Sequence, residues 1–138
     1  MAEDLEDVAR AWWESRRLAA GTRHERKQWS LGEPSEVASG LRAVDEIVDG
    51  GGERAIELVV ALLNTAPAGS GVPEVGAGPL EDLVVGHGNA LAPRLDDLAR
   101  RSAVFRGALA SVWIEPGVLD AQAAARLSRW IPGLAAEA

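Results

Sequence analysis

The chain has 138 residues, the size of one domain, of which 47% are hydrophobic and 25% charged, with a formal net charge of −7. This composition excludes a disordered or collagen-like chain, and the lack of cysteine excludes disulfides and thiolate chemistry. No apolar run reaches the roughly 18 residues of a membrane span, and the acidic N-terminus does not resemble a signal peptide. We therefore expect a cytoplasmic protein without membrane association, folded as one helical domain over residues 1–138.

The negative charge is concentrated in the middle of the chain. Residues 31–90 contain ten acidic residues and two arginines, whereas residues 91–138 carry a small positive excess. A nucleic-acid-binding protein needs a concentrated basic face, so this distribution predicts no nucleic-acid partner. An acidic segment suits a basic protein partner, although a solvated acidic surface is the commoner interpretation.

Apolar residues at helical spacing predict three helices in the first half of the chain. Gly21 ends the first helix, Ser35 is a suitable N-cap for the second, and the glycines at 50–52 separate the second from the third. The predicted segments are an N-terminal helix over about 1–20, a polar connector over 22–34, the first helices of a helical core that spans 35–131, and a loop over 66–74.

The segment from Val75 to Gly88 contains several helix-start and helix-stop signals. Gly76 and Gly78 allow a positive φ or a close backbone approach, and Gly78 followed by Pro79 is a common helix opening. Glu81 then falls at the third helical position, where its carboxylate can reach the N-cap amide. These residues predict a bend followed by a new helix.

Gly86 and Gly88 predict the end of that short helix, with the imidazole of His87 beside the negative end of the helix dipole. Glu81, Asp82 and His87 also form the one group that resembles a catalytic set, although their spacing does not favour contacts along a helix. A phosphate cradle is a weaker alternative, because Asp82 replaces the third glycine and Pro79 removes an amide donor.

Further helices are expected over about 89–101, from the Ser102 cap to about Val112, and over about 119–131. No segment shows the sustained alternation of a strand. The sequence thus predicts an all-α fold of about six to seven short helices. Two arrangements remain open: stacked helical hairpins resembling an α-solenoid, or an irregular orthogonal bundle.

Tryptophan dominates the aromatic residues, with five Trp, one Phe and no Tyr. Trp113 and Trp130 fall on apolar stripes and are expected in the core. A partly exposed Trp13 or Trp29, flanked by arginine, is a candidate interface anchor. The alternative is that each ring lies on its own domain beneath an arginine.

No metal site or cofactor is predicted. The chain has two histidines, His24 and His87, and no zinc or calcium motif contains them. Acidic pairs four residues apart, Asp45 with Asp49 and Glu53 with Glu57, indicate solvated helix faces.

The run V-G-A-G-P-L-E-D-L-V at 75–84, followed by His87-Gly88, resembles the signature of an uncharacterised bacterial domain-of-unknown-function family. The helix containing Trp12, the E-R-A helix from Glu53 and the F-R helix from Phe105 also resemble members of that family. Gly51-Gly52 replaces an expected Asp-Pro, and the helix after His87-Gly88 contains Pro93. The resemblance implies a helical fold and no particular activity.

These features favour a non-catalytic protein-binding module, such as an adaptor, a regulator or an inhibitor that neutralises a toxin. Glu46 and Asp49, within the acidic segment, are the expected contacts to a basic partner. The alternative is a small enzyme or small-molecule binder that uses His87 with Glu81 and Asp82. A third possibility is a module that associates with a second copy of itself.

Overall fold

A computed structural model describes residues 4–69 and 71–135, and the regular secondary structure of these residues is entirely helical. The all-α prediction is therefore confirmed, with eight helices instead of six to seven when contiguous helical segments are counted together. The helices are α1 (Leu5–Ala19), α2 (Arg23–Ser30), α3 (Ser35–Gly50), α4 (Gly52–Asn64), α5 (Gly71–Val75, Gly76–Leu80 and Glu81–Arg101), α6 (Ala103–Leu109), α7 (Ala121–Leu127) and α8 (Pro132–Ala135). The parts of the predicted domain at 1–3, 70 and 136–138 lie outside the described residues.

Helix α1 packs against both α3 and α4. Asp4 caps it by accepting a hydrogen bond from the backbone N–H of Glu6, at 2.9 Å. Helix α3 approaches α1 closely at Gly40, where a Cβ atom would lie 2.3 Å from the Cβ of Ala11. The absence of a side chain at Gly40 thus brings the two helix backbones together.

The predicted polar connector is wrong for residues 23–30, which form helix α2. Thr22 and Glu25 form a capping box, in which each side chain accepts a hydrogen bond from the other's backbone N–H, at 3.2 and 3.0 Å. None of the residues of α2 is buried. Because α2 lacks the apolar stripe of a core helix, hydrophobic periodicity did not reveal it.

Helices α3 and α4 meet at Gly51, whose φ of +66° is readily adopted by glycine. Ser35 is the first residue of α3 and Pro34 is its N-cap, so the predicted Ser35 cap is displaced by one position. Leu58, Val59 and Leu62 of α4 are completely buried. This segment is therefore a core helix, in agreement with the third helix predicted from the sequence.

The predicted bend at residue 78 is wrong, because α5 is helical without interruption from Gly71 to Arg101. Residues 76–80 form a π-helical turn, and the flanking Val75 and Glu81 keep α-helical φ and ψ angles. Pro79 lies in this turn; it has no N–H to donate, and a wider turn gives its ring more room beside the preceding backbone. Proline and glycine therefore widen a continuous helix here.

In the C-terminal part, the Ser102 cap is confirmed, since its hydroxyl accepts a hydrogen bond from the N–H of Phe105 at 3.1 Å. The final predicted helix is shorter than expected and is capped by Asp120, and Pro132 begins another short helix instead of ending one. Helix α7 packs across α5. None of the described helices combines the length and apolar character needed to cross a bilayer.

Candidate functional site

Helices α3 and α5 enclose a groove of about 240 Å³. Asp45 and Asp49 are one turn apart on α3 and therefore share a face, while α5 contributes Asp82 and His87. We call this feature the acidic groove; it is lined by Val44, Asp45, Val48, Asp49, Pro79, Asp82, Gly86 and His87. Glu46, the other acid expected to contact a partner, is exposed on α3 but does not line the groove.

The carboxylates of the acidic groove are not neutralised by the surrounding protein. Among residues 4–69 and 71–135, no basic side chain lies within 4.0 Å of the carboxylate of Asp45, Asp49 or Asp82. Partial burial raises the pKa of Asp82, and the negative charges of Glu81 and Asp45 raise it further. The groove therefore holds negative charge that a cation can offset.

His87 holds the end of α3 against α5. Its Nε2 atom lies 2.7 Å from the backbone carbonyl oxygen of Asp49, and because a carbonyl only accepts, Nε2 donates this hydrogen bond. Asp49 lies in the last turn of α3, whose carbonyls have no partner within the helix. The predicted helix end at Gly86 and Gly88 is wrong, since α5 continues to Arg101, and His87 contacts the C-terminus of α3 instead of that of its own helix.

The contact between the His87 ring and the end of α3 also requires a glycine at position 51. A Cβ atom at Gly51 would lie 2.6 Å from Nδ1 of His87, well inside van der Waals contact. Gly51 thus allows both the positive φ of the α3–α4 connection and the close approach of the imidazole.

Glu81 connects α5 to the segment that follows α6. Its carboxylate accepts a hydrogen bond from the backbone N–H of Trp113 at 2.7 Å, so the predicted capping role of Glu81 is wrong. Glu81 and Asp82 make no hydrogen bond with His87. The three residues of the alternative catalytic set are therefore not joined into an acid–base pair.

Two glycines of the 75–88 segment permit close packing, which the sequence anticipated as one alternative for Gly76 but not for Gly88. A Cβ at Gly76 would lie 2.0 Å from the carbonyl oxygen of Ala108, and one at Gly88 would lie 2.6 Å from a methyl group of Leu119. At Gly78 the nearest such atom is 4.0 Å away. Gly76 and Gly88 are thus packing positions, whereas Gly78 has room for a side chain.

The two candidate anchor tryptophans differ in exposure. Trp13 is buried, and its indole N–H donates to the carbonyl oxygen of Leu62 at 3.0 Å, so the expectation of a partly exposed Trp13 is wrong. Trp29 is 41% exposed and donates to the hydroxyl of Ser15 at 2.8 Å. Of these two rings, Trp29 is the one with exposed surface, and its role as an anchor remains a prediction.

The two tryptophans expected in the core also differ. Trp113 is 57% exposed, so that prediction is wrong: α6 ends at Leu109, and the apolar stripe of the helix does not extend to residue 113. Trp130 is half-buried, and its indole N–H donates to the carboxylate of Asp96 at 2.8 Å. In the described part of the chain, no group of three or more His, Cys, Asp or Glu side chains is arranged to hold a metal ion.

Fold and site together define an all-helical protein with an unneutralised acidic groove between two of its helices. The chain belongs to a family of unknown function, DUF6869, whose profile matches residues 32–129. The matched span contains both helices of the groove and the 75–88 segment. No curated protein and no solved structure matches the chain.

Proposed function

We propose that the protein is a non-catalytic protein-binding module of the bacterial cytoplasm, acting as an adaptor, a regulator or an inhibitor such as a toxin-neutralising protein. In this proposal the acidic groove receives an arginine side chain of a basic partner. The observation that supports it is the set of three carboxylates, Asp45, Asp49 and Asp82, that lack a basic neighbour in the described structure.

The chemistry of the groove suits a guanidinium group. Val44, Val48 and Pro79 provide apolar surface for the flat faces and the alkyl stem of an arginine, while the carboxylates accept hydrogen bonds from its edge. Small-molecule pockets usually enclose about 300–1,000 Å³. At about 240 Å³ the groove is better matched to a single side chain than to a whole small molecule.

The surrounding charge favours the same class of partner. Residues 31–90 carry ten acids and two arginines, so the field around the groove would accelerate association with a basic protein and make binding sensitive to salt. Trp29 and the exposed Leu31 supply an apolar surface at which such a partner could make further contacts.

We also infer that the helices form an irregular bundle in place of stacked hairpins. In a solenoid each repeat contacts its sequence neighbours, whereas α1 packs against α3 and α4, and α3 packs against α5. The groove therefore combines helices that are not adjacent in sequence, which favours a fixed geometry for recognition.

The alternative of an enzyme based on His87 has less support. The Nε2–H of His87 is engaged by the Asp49 carbonyl, and Glu81 is engaged by the N–H of Trp113. With Nε2 protonated, Nδ1 is the nitrogen that could take a proton from a substrate, and it packs against Gly51. No carboxylate of the described residues orients the ring.

A direct test is a ¹⁵N NMR titration of the protein with N-acetyl-arginine amide. We expect saturable shifts at amides of residues 44–49 and 79–87, and loss of these shifts in the triple variant Asp45→Asn, Asp49→Asn, Asp82→Asn. The matched control neutralises three exposed acids elsewhere, Glu33→Gln, Glu36→Gln and Glu115→Gln, and should bind like the unaltered protein. Equal weakening in both variants would mean that only net charge matters and would contradict the proposal.

The same variants test binding of a whole protein. Affinity capture from native lysate should recover a basic protein with the unaltered chain and with the control variant at low salt, and lose it with the triple variant or at high salt. Recovery of no partner at either salt concentration would count against a protein-binding function.

A further inference from the structure

A second and larger cleft lies between α5 and α7, with a volume of about 820 Å³. Gln122 and three arginines line this cleft. The arginines outnumber the two carboxylates of the lining, Asp96 and Asp120, by one. The arginines are Arg100, Arg126 and Arg129. The lining of the cleft therefore carries a small positive excess, in a chain whose net charge is −7.

Asp96 fixes two of these arginines from within the protein. Its side chain is only 6% exposed; its Oδ1 accepts a hydrogen bond from Nε of Arg100 at 3.3 Å, and its Oδ2 lies 3.7 Å from Arg126. The indole N–H of Trp130 also donates to Oδ1, at 2.8 Å. The buried carboxylate thus holds Arg100 by a hydrogen bond and attracts Arg126 electrostatically before any ligand arrives.

Most N–H groups of the three guanidinium groups in the cleft donate no hydrogen bond within the described part of the chain. Arg100 donates through Nε alone, and Arg126 approaches Asp96 at a distance longer than a hydrogen bond. Arg129 lies over the ring of Trp130, with 5.1 Å between the guanidinium carbon and the ring centre, and makes no hydrogen bond within the described residues. By contrast, the carboxylate of Asp120 is engaged by the N–H of Ala123 at 2.8 Å.

We propose that this cleft binds a small organic oxyanion that carries at least two phosphate or carboxylate groups. Arginine forks pair with both kinds of group through two parallel N–H donors. The cleft volume lies within the range of about 300–1,000 Å³ that is typical of small-molecule sites, and far exceeds that needed by one inorganic ion. The site is separate from the acidic groove, so it stands whether or not the protein binds a basic partner.

The indole N–H of Trp130 provides a local reporter, because its hydrogen-bond acceptor is the carboxylate that holds the arginines. Pyrophosphate and citrate should each be titrated separately at low ionic strength, with the indole N–H signals followed by ¹⁵N NMR and the Trp130 signal assigned from Trp130→Phe. We expect the Trp130 signal to shift and saturate in the low millimolar range or below with at least one probe, and those of Trp13 and Trp29 to stay in place. The tighter probe would distinguish a phosphate ester from a polycarboxylate.

Two matched pairs of substitutions test whether the arginines of the cleft bind the probes. Arg126→Gln with Arg129→Gln should weaken binding by about tenfold or more, since each removes a charged fork. Arg42→Gln with Arg54→Gln removes the same charge from exposed positions on α3 and α4 and should leave binding unchanged. No shift with either probe, or equal weakening by both pairs, would overturn the proposal.

Discussion

Asp82 and Asp96 lie on the same helix, yet their surroundings shift their pKa values in opposite directions. Burial raises the pKa of Asp96, but the hydrogen bonds from Trp130 and Arg100 and the charges of Arg100 and Arg126 outweigh it, so the pKa lies below its ordinary value. Asp82 is more exposed, yet partial burial and the charges of Glu81 and Asp45 raise its pKa.

This difference shows that the charged and hydrogen-bonding partners of a carboxylate, and not its burial alone, determine the direction of its pKa shift and its effect on stability. The charge of Asp96 is balanced by the fold, so Asp96 stabilises the structure and orients the arginines of the cleft. The charge of Asp82 has no basic neighbour among the described residues, and in the proposed function a cation from another molecule balances it. The predictions below test each side of this contrast.

The largest effect is expected for Asp96→Ala, which leaves the Trp130 N–H without its acceptor and removes the partner of two arginines. We expect a loss of about 3 kcal/mol in the free energy of unfolding at pH 7, measured in urea. Because its pKa is lowered from 3.8, the contribution of Asp96 is present above pH 3.8 and is lost as the pH falls through the folded-state value.

Asp97 is the matched control for Asp96. It is the next residue, its carboxylate is 51% exposed and it pairs with Arg94 and Arg101 at the surface. Asp97→Ala should cost no more than about 1 kcal/mol. Equal losses of unfolding free energy in the two variants would mean that the buried Asp96 stabilises the fold no more than an exposed, surface-paired carboxylate does.

A smaller but clear effect is expected for Gly76→Ala, because the new Cβ would lie 2.0 Å from the Ala108 carbonyl oxygen. The required shift of α5 should cost about 2 kcal/mol and disturb the helix that carries Asp82. Gly78→Ala should be neutral or stabilising by up to about 1 kcal/mol, since Gly78 is helical and has space around it. Strong destabilisation by Gly78→Ala would instead indicate the bend expected from the sequence.

His87→Ala removes the hydrogen bond to the Asp49 carbonyl and should cost about 1 kcal/mol in the free energy of unfolding. The accompanying local change should be loosening of the end of α3, visible as faster amide hydrogen exchange near residue 49. An unchanged melting temperature combined with loss of an activity would favour the catalytic alternative for His87.

Asp82→Asn should have the smallest effect and the opposite sign. A raised folded-state pKa means that Asp82 contributes stability below its ordinary value of 3.8 and loses that contribution as the pH rises. The variant should therefore be more stable at pH 7 by a few tenths of a kcal/mol, a gain that vanishes in acid. A loss of stability in Asp82→Asn at pH 7 would contradict the interpretation that the negative charge of the acidic groove is not balanced within the protein.

Apolar periodicity and capping residues predicted the helical class and several helix ends. The Ser102 cap and the helical state of the segment that contains Ile56 and Val59 depend on local sequence, so they could be read directly. Helix α2 was not predicted because it has no apolar stripe. The capping box formed by Thr22 and Glu25 was the local sequence feature that indicated its start.

The continuity of α5 could not be predicted, because Gly76 and Pro79 signal a helix start equally well when their tertiary contacts are unknown. The acidic groove itself was not predicted: the sequence named Asp49 as a partner contact and Asp82 with His87 as a catalytic alternative, and it did not bring them together with Asp45, because α3 and α5 meet only in the folded chain. For Asp96, only the pairing with Arg100, four residues further along the helix, could be read from the sequence, because its other partners Trp130 and Arg126 are distant in sequence.

The most direct measurement is an NMR titration of the side-chain carboxyl groups of Asp82 and Asp96 in the intact protein. The contrast between them predicts that Asp82 titrates above 3.8 and Asp96 below it. An Asp82 carboxyl that titrates at or below 3.8 would mean that the groove's negative charge is already balanced, and the reason to expect a basic partner there would be lost.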